Sequence, residues 1–357
     1  MKNKRIVIKV GTNVLMSNGD KLKKDNLINI VNQVAWLKEQ GWQAILVTSG
    51  AVAAGQDGID LKGIKEVGVK RQVYAAIGQV SLMEYYRELF EKFNITIAQA
   101  LLIRDDFVNR SRYLNVHQTL EHLLNQNVVT IINENDVITT HESTFGDNDS
   151  LAANTAISIS ADYLILLTNI DGLYDSDPAE NKQAQLISEV KEFDSKLMDM
   201  CFTQKDSSGM GGMISKLQAA KLATSAGIQT IVANGLDKDI IKNIINGKKI
   251  GTKFLAKKLD INSKERWFLS GKNLGSALVI DDGAVNALLN RKSLLMVGVK
   301  SLKGSFKVDE VIEILNQNNK TIGYGRINFD SIELKNAFKN PKSLPREIIH
   351  ADNLLII

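Results

Sequence analysis

Six short apolar runs recur along the first 235 residues, at 5–10, 44–48, 95–101, 128–132, 163–168 and 228–233, each rich in Ile, Val and Leu and bounded by Gly, Ser, Asn or Asp. Runs of this length and composition suit strands buried on both faces of a sheet. Helical patterns lie between them. Leu27, Ile30, Val31, Val34 and Leu37 repeat at three and four, the stripe of an amphipathic helix, and Gly41 follows where a stop is expected. Residues 71–93 and 114–125 also read as helical. Strands alternating with helices predict an α/β fold around a mostly parallel sheet. In such sheets ligands bind beyond the carboxyl ends of the strands, so the polar residues that follow each apolar run are the first candidates for chemistry.

The pattern changes near residue 250. Residues 253–264 are basic and polar with little periodicity, and read as a linker or surface excursion. Beyond them, short strand-like pieces at 276–281, 293–299, 311–315 and 321–327 are separated by Gly, the mark of a small β-rich domain. The expected organisation is a sandwiched-sheet domain over 1–255, a linker over 256–268 and a β-rich domain over 269–357. Two domains also fit a chain of 357 residues.

Charge and cysteine content narrow the class. The net charge is +4, and it is uneven: residues 266–357 hold 13 Lys and Arg against 9 Asp and Glu, whereas residues 1–265 hold 31 of each. The surplus is a weak pointer to a polyanion partner. A single cysteine, Cys201, excludes an intramolecular disulfide, and no cysteine–histidine cluster has zinc spacing. The apolar start is short and broken by Lys9, unlike a signal peptide, and no stretch approaches a membrane span. A cytoplasmic protein without a membrane partner is expected.

Familiar nucleotide signatures are missing: no Walker P-loop, no G-x-G-x-x-G, no H-R-D and no D-F-G. The candidates sit elsewhere. Lys9 lies inside the first apolar run, where a charge is costly without a partner. It is either a snorkelling edge lysine or an ammonium aimed at phosphates, with Gly11 and Thr12 admitting their approach. Thr48-Ser49-Gly50-Ala51 is either a tight turn with an N-cap or a close-approach ligand loop. The densest polar cluster is Asn133-Glu134-Asn135-Asp136 followed by Phe145-Gly146-Asp147-Asn148-Asp149-Ser150, which opens a helix at 151–159. It holds more acids and amides than capping requires. A carboxylate such as Asp136 can hold a substrate ammonium, and Asn148 can donate and accept. Thr168-Asn169 follows the fifth run. Gly209-Met210-Gly211-Gly212-Met213-Ile214-Ser215-Lys216 precedes a helix, as an anion cradle does, and Lys216 falls in its first turn, where a cation is unfavourable unless a phosphate neutralises it. The bland alternative is a flexible surface loop with a solvated lysine.

Together these blocks, with Arg110-Ser111-Arg112-Tyr113-Leu114-Asn115 and Thr168–Tyr174, resemble the amino acid kinase family over essentially the whole chain. The Asn-Glu-Asn-Asp and Phe-Gly-Asp-Asn-Asp blocks resemble the branch acting on glutamate rather than those acting on aspartate, acetylglutamate, carbamate or UMP. The resemblance implies an ATP-dependent kinase of the glutamate side-chain carboxylate, using Mg2+. It implies that Lys9 contacts the transferred phosphoryl group and that Ser49, Asp136 and Asn148 bind glutamate. Thr168 and Asn169 would border the nucleotide, and Met210, Gly211, Gly212, Met213, Ile214, Ser215 and Lys216 would wrap the ATP phosphates. The residues themselves add Lys216 beside the transferring group, and Asp149, or alternatively Asp147, orienting these cations or the metal. Asn169 stands where the family usually has Asp, and Met210 where it has Thr or another small residue.

The resemblance further implies proline synthesis, feedback inhibition by proline, a homo-oligomer, and delivery of a labile product to glutamyl phosphate reductase. Residues 275–284, 293–295 and 304–306 resemble a PUA domain, an RNA-binding module, with Val308-Asp309 where relatives often have Gly-Asp. The rival reading is an RNA-binding protein whose kinase-like part is vestigial or a regulatory sensor.

Overall fold

A computed structural model describes residues 4–16, 22–56, 59, 61–139, 148–193, 197, 212–256, 263–270, 272, 275–339 and 347–356. The chain forms two compact units, Met1–Arg104 with Leu114–Asp260, and Asp105–Tyr113 with Ile261–Ile357.

In the first unit the apolar runs become β1 (Arg5–Val10), β2 (Gln43–Val47), β3 (Ile97–Leu102), β4 (Val129–Glu134), β5 (Tyr163–Thr168) and β7 (Gln229–Asn234). Two short strands, β6 (Glu189–Val190) and β8 (Thr252–Phe254), complete an eight-stranded sheet in the order β3-β4-β2-β1-β5-β7-β8-β6. The six long strands are mutually parallel, and β8 runs antiparallel to β7. Strands β1 and β2 are buried almost throughout, because helices cover both faces. Strand β3 departs from the expected double burial: five of its six residues are half-buried or exposed, because it is the edge of the sheet.

The helices of this unit are α1 (Thr12–Leu15), α2 (Lys24–Glu39), α3 (Ala51–Gln56), α4 (Val67–Glu91), α6 (Arg110–Asn125), α7 (Asn148–Ser158), α8 (Met213–Ser225) and α9 (Ile240–Ile245); α5 (Asp105–Val108) belongs to the second unit, as do the first residues of α6. The 27–37 stripe lies on α2 and packs Leu27, Ile30, Val31, Val34 and Leu37 into the core. Gln33 lies on the same buried face. Its Oε1 accepts from Ile241 N at 2.7 Å, so a buried amide caps the start of α9.

Helices α3 and α4 cross at two glycines. A Cβ on Gly78 would fall 1.8 Å from Ala51 O, and one on Gly55 1.9 Å from Tyr74 O. The crossing fixes α3, and α3 opens directly after Ser49-Gly50, where Gly50 has φ +103°. In a helix, Ala is favoured over Gly by about 1 kcal/mol. Overpacking against backbone typically costs about 1–3 kcal/mol, so the clash outweighs propensity. Gly78→Ala is therefore expected to lower Tm and to cut kcat/KM about tenfold or more through displaced Ser49. Thermal melts and steady-state kinetics check it; a variant as stable and active as the parent contradicts it.

The second unit holds a five-stranded sheet in the order β11-β9-β12-β13-β15, built from β9 (Ala277–Ile280), β11 (Val299–Lys303), β12 (Val311–Leu315), β13 (Thr321–Arg326) and β15 (Leu354–Ile356). A two-stranded sheet pairs β10 (Leu294–Leu295) with β14 (Glu347–Ile349). The expected β-rich character holds, and beside α5 the described residues of this unit form α10 (Ser263–Leu269), α11 (Asp282–Leu289) and α12 (Ser331–Lys339). Asp281 caps α11, its Oδ1 accepting from Ala284 N at 2.9 Å. Helix α10 falls largely in the stretch expected as linker, and buries Trp267 and Phe268.

Candidate active site

The parallel strands end together, and four ends carry the polar residues in question. Register pairs Lys9 of β1 with Val47 of β2 on one side and Leu166 of β5 on the other. The ends of β1, β2 and β5 are therefore level and adjacent, and β4 lies beyond β2.

Lys9 is not a snorkelling edge residue. It sits on a central strand, its side chain is only 7% exposed, and its Nζ lies 2.7 Å from Asp149 Oδ1. Asp149 stands in the first turn of α7 and is fully buried. Its Oδ2 lies 3.2 Å from Lys216 Nζ and 2.8 Å from Ser215 Oγ, both on α8. One carboxylate thus bridges two buried ammonium groups from different elements. Burial alone would push the Asp149 carboxyl up. Lys9 and Lys216, helped by Ser215, overcome that and hold it at about 2. The sequence suggested that Lys216 needs a phosphate to offset the helix dipole; in this structure Asp149 already supplies the negative charge.

Next to this centre lies an amide cluster. Asn148, adjacent to Asp149 in the chain, has its Nδ2 2.8 Å from Thr48 O, 3.0 Å from Ser49 Oγ and 3.0 Å from Asn133 Oδ1. Asn133, at the end of β4, donates from Nδ2 to Gln79 Oε1 on α4 at 2.9 Å. Thr48 Oγ1 and Tyr86 OH lie 2.8 Å apart. Ser49 and Asn148 are thus brought together. Asp136 lies two residues past β4, 3.9 Å from Arg71. Burial raises its carboxyl pKa, and Arg71 only partly offsets the rise. Thr168 closes β5, buried, with its Oγ1 3.4 Å from the Oδ1 of exposed Asn169. Gly212 is the N-cap of α8; Met213, Ser215 and Lys216 are buried and Ile214 half-buried. Met210 and Gly211, like Asp147, lie outside the described residues.

The sequence singled out neither Gln79 nor Arg71. Both lie inside α4, far along the chain from the end of any apolar run, and an isolated Gln or Arg within a helix carries no spacing signal.

A buried, fixed pair of ammonium groups that shares one carboxylate suits a polyanion. The donor set does not suit a protein-held divalent metal: both Asp149 oxygens are engaged by cations, and among the described residues no group of three or more His, Cys, Asp or Glu could hold one. Lys9, Asp149 and Lys216 thus meet where parallel strands end, the place that open α/β sheets keep for ligands. The chain belongs to the amino acid kinase family, whose pattern matches residues 4–234. It is 40% identical over 368 residues to a glutamate 5-kinase of Dehalococcoides mccartyi (strain CBDB1), covering 99% of this chain and 98% of that relative. A glutamate 5-kinase of Thermoanaerobacter sp. (strain X514) is 40% identical over 364 residues with the same coverage. Residues 276–348 match the PUA domain family. The fold is similar to that of carbamate kinase from Giardia lamblia bound to AMP-PNP, with TM-score 0.52 and 17% identity over 72% of this chain and 99% of that one. Among the described residues no helix is long and apolar enough to cross a membrane.

Proposed function

We propose that this chain transfers the γ-phosphoryl group of Mg-ATP to the side-chain carboxylate of L-glutamate, giving ADP and L-glutamyl 5-phosphate, the first step of proline synthesis. The observation that carries this reading is the buried Lys9–Asp149–Lys216 bridge beside the Ser49–Asn148 cluster. Full-length similarity to glutamate 5-kinases supports the choice of acceptor.

The chemistry needs no general base. A glutamate side chain has an unperturbed pKa near 4.3, so at neutral pH its carboxylate is already the nucleophile. A carboxylate oxygen forms a bond to the γ-phosphorus as the bond to the β–γ bridging oxygen breaks, and ADP leaves with that electron pair. No proton moves. What remains is alignment and neutralisation of charge on the transferring group. Lys9 and Lys216 supply the charge; Asp149 offsets their mutual repulsion and holds both ammonium groups in place. Mg2+ enters with the nucleotide as part of the substrate and screens its phosphates. Thr168, Asn169 and the 210–216 loop border the nucleotide. Ser49, Asn148 and Asp136 hold the amino acid. Proline inhibition, homo-oligomer assembly and hand-over of the acyl phosphate to glutamyl phosphate reductase extend the same reading.

Asp136 makes the reading pH-dependent. A carboxyl whose folded pKa is raised favours the folded state below that pKa, and that contribution is lost as pH rises through it. A bound substrate ammonium returns the missing counter-charge. The KM for glutamate should therefore rise as pH falls through the raised Asp136 pKa. Asp136→Asn should raise that KM about 10- to 100-fold at neutral pH and abolish the acidic limb. Kinetics followed from neutral pH down into the acidic range decide it; a KM unchanged in Asp136→Asn removes Asp136 from the site.

The test of the function is glutamate-dependent ADP release with Mg-ATP, hydroxylamine trapping the acyl phosphate as hydroxamate. Hydroxamate from glutamate, and not from aspartate, acetylglutamate or carbamate, is expected. Product from another carboxylate alone would overturn the substrate. If none of these acceptors is turned over, the RNA-binding rival comes forward, and filter binding to tRNA across a salt series then tests it. The intact buried lysine pair argues against that rival.

A further inference from the structure

Three side-chain amides, Gln79, Asn133 and Asn148, are joined head to tail, and backbone groups set their direction from outside. Glu134 N–H can only donate, and it lies 2.9 Å from one terminal atom of Asn133, which must therefore be the oxygen Oδ1. Thr48 carbonyl can only accept, and it lies 2.8 Å from one terminal atom of Asn148, which must be the nitrogen Nδ2. That nitrogen also faces Asn133 Oδ1, in agreement with the first assignment. Asn133 Nδ2 then donates to Gln79, so the Gln79 atom facing it is Oε1. Neither asparagine can flip without breaking a bond to the backbone, and Gln79 cannot flip without losing its bond to Asn133.

The two outer atoms are left over. Gln79 Nε2 and Asn148 Oδ1 are buried and have no hydrogen-bond partner. A buried polar atom without a partner is costly, and such atoms in a rigid frame point to a ligand. One leftover is a donor and the other an acceptor, which fits a zwitterion: a carboxylate at Gln79 and an ammonium at Asn148. Both atoms are shielded in the chain as it stands, which places their partner in a site closed from water. The frame is also stiff. Gln79 directly follows Gly78, the residue locked against Ala51.

Position along the sheet says which carboxylate. Asn148 neighbours Asp149 in the chain, and so stands beside the phosphoryl centre. Gln79 is reached from there only through Asn133 at the end of β4, and β4 lies two strands from β1. With strands about 4.8 Å apart, that end is roughly 10 Å from the strand of Lys9. The reacting carboxylate belongs near Lys9, so the remote donor meets the other one. We infer that Gln79 is a substrate-binding and specificity residue, whose Nε2 donates to the α-carboxylate of the amino-acid substrate, oriented for that task by Asn133 and Asn148. The assignment rests on the glutamate reading above.

Two variants separate this from a prop for Asn133. Gln79→Glu keeps an oxygen for Asn133 Nδ2 but replaces the donor with an anionic acceptor. Gln79→Met removes both functions at similar length and without charge. Gln79→Glu is expected to raise the KM for glutamate about 100-fold or more, with kcat and the KM for Mg-ATP within about threefold. Its preference for glutamate over glutamate α-amide, whose α-group is a neutral carboxamide, should fall at least about tenfold. If Gln79→Glu does not fold, Gln79→Met carries the test, with KM for glutamate up about 10- to 100-fold and the same loss of preference. Unaltered KM and preference in the folded variant overturn the assignment while the glutamate reading stands. The same holds if only Gln79→Met is impaired, since Gln79 then merely supports Asn133. Parent enzyme giving no hydroxamate from glutamate overturns both.

Discussion

Replacing Lys9 with alanine is expected to lower kcat about 100- to 1,000-fold while leaving the KM for glutamate within about threefold. Lys9 is paired by register between β2 and β5, so its ammonium is delivered by the most rigid part of the sheet. Its charge counts most where negative charge moves between attacking and leaving oxygens, and little in holding the amino-acid end of the substrate. The interaction therefore belongs to the transition state, and its loss falls on kcat. Steady-state kinetics with saturating Mg-ATP check this. Equal and modest effects on kcat and KM would mean that Lys9 does no more than accompany Asp149.

The largest expected effect on stability comes from Asp149→Asn. The substitution removes the carboxylate charge that the two buried ammonium groups share, and breaking a buried pair from one side typically costs about 3–5 kcal/mol. For a unit of this size that corresponds to a fall in Tm on the order of 10 °C. The loss should depend on pH in a defined direction. A carboxyl held at about 2 in the folded chain, against 3.8 otherwise, contributes stability above the unfolded value and loses it as pH falls through the folded one. Parent and variant should thus differ by a constant amount at neutral pH and converge between about pH 4 and pH 2. Pyrophosphate, which returns negative charge to the two lysines, should raise the Tm of the variant more than that of the parent. Differential scanning calorimetry across pH, with and without pyrophosphate, reads all three. Equal melting of the two proteins at pH 7 would mean that the bridge does not hold the lysines.

Much of this arrangement is legible in the sequence, because strand ends announce themselves. Five buried strands are rich in Ile, Val and Leu, and a lysine within such a run, or a dense cluster of acids and amides after one, stands out against it. Lys9, Asp149, Ser49 and Asn148 are all found that way. What stays hidden depends on contacts across the chain. The counter-ion of Lys216 is 67 residues away, so its first-turn position looked like a vacancy for phosphate. Strand β3 has the composition of a buried strand but lies at an edge, a matter of sheet order that composition does not encode. β6 and β8 are two and three residues long, too short for any period to show. Gln79 sits four residues after buried Ala75 on α4, at the margin of the apolar stripe Tyr74–Gly78–Leu82–Tyr86. A polar residue there is the one trace that could have marked it, and only the bond to Asn133 gives it meaning. Helix α10 was hidden because its apolar residues, Trp267, Phe268 and Leu269, come only in its last turn, too few for a period to show.

The central claim is that a carboxylate oxygen of glutamate becomes bonded to the transferred phosphorus, between Lys9 and Lys216. It is tested most directly with glutamate carrying 18O in the side-chain carboxyl, Mg-ATP and hydroxylamine. Hydroxylamine attacks the carbonyl carbon and expels phosphate with the bridging oxygen. The account predicts that the phosphate recovered contains one atom of 18O derived from glutamate. Phosphate without label, formed at the same rate as ADP, would mean that water and not the carboxylate takes the phosphoryl group, and would contradict it.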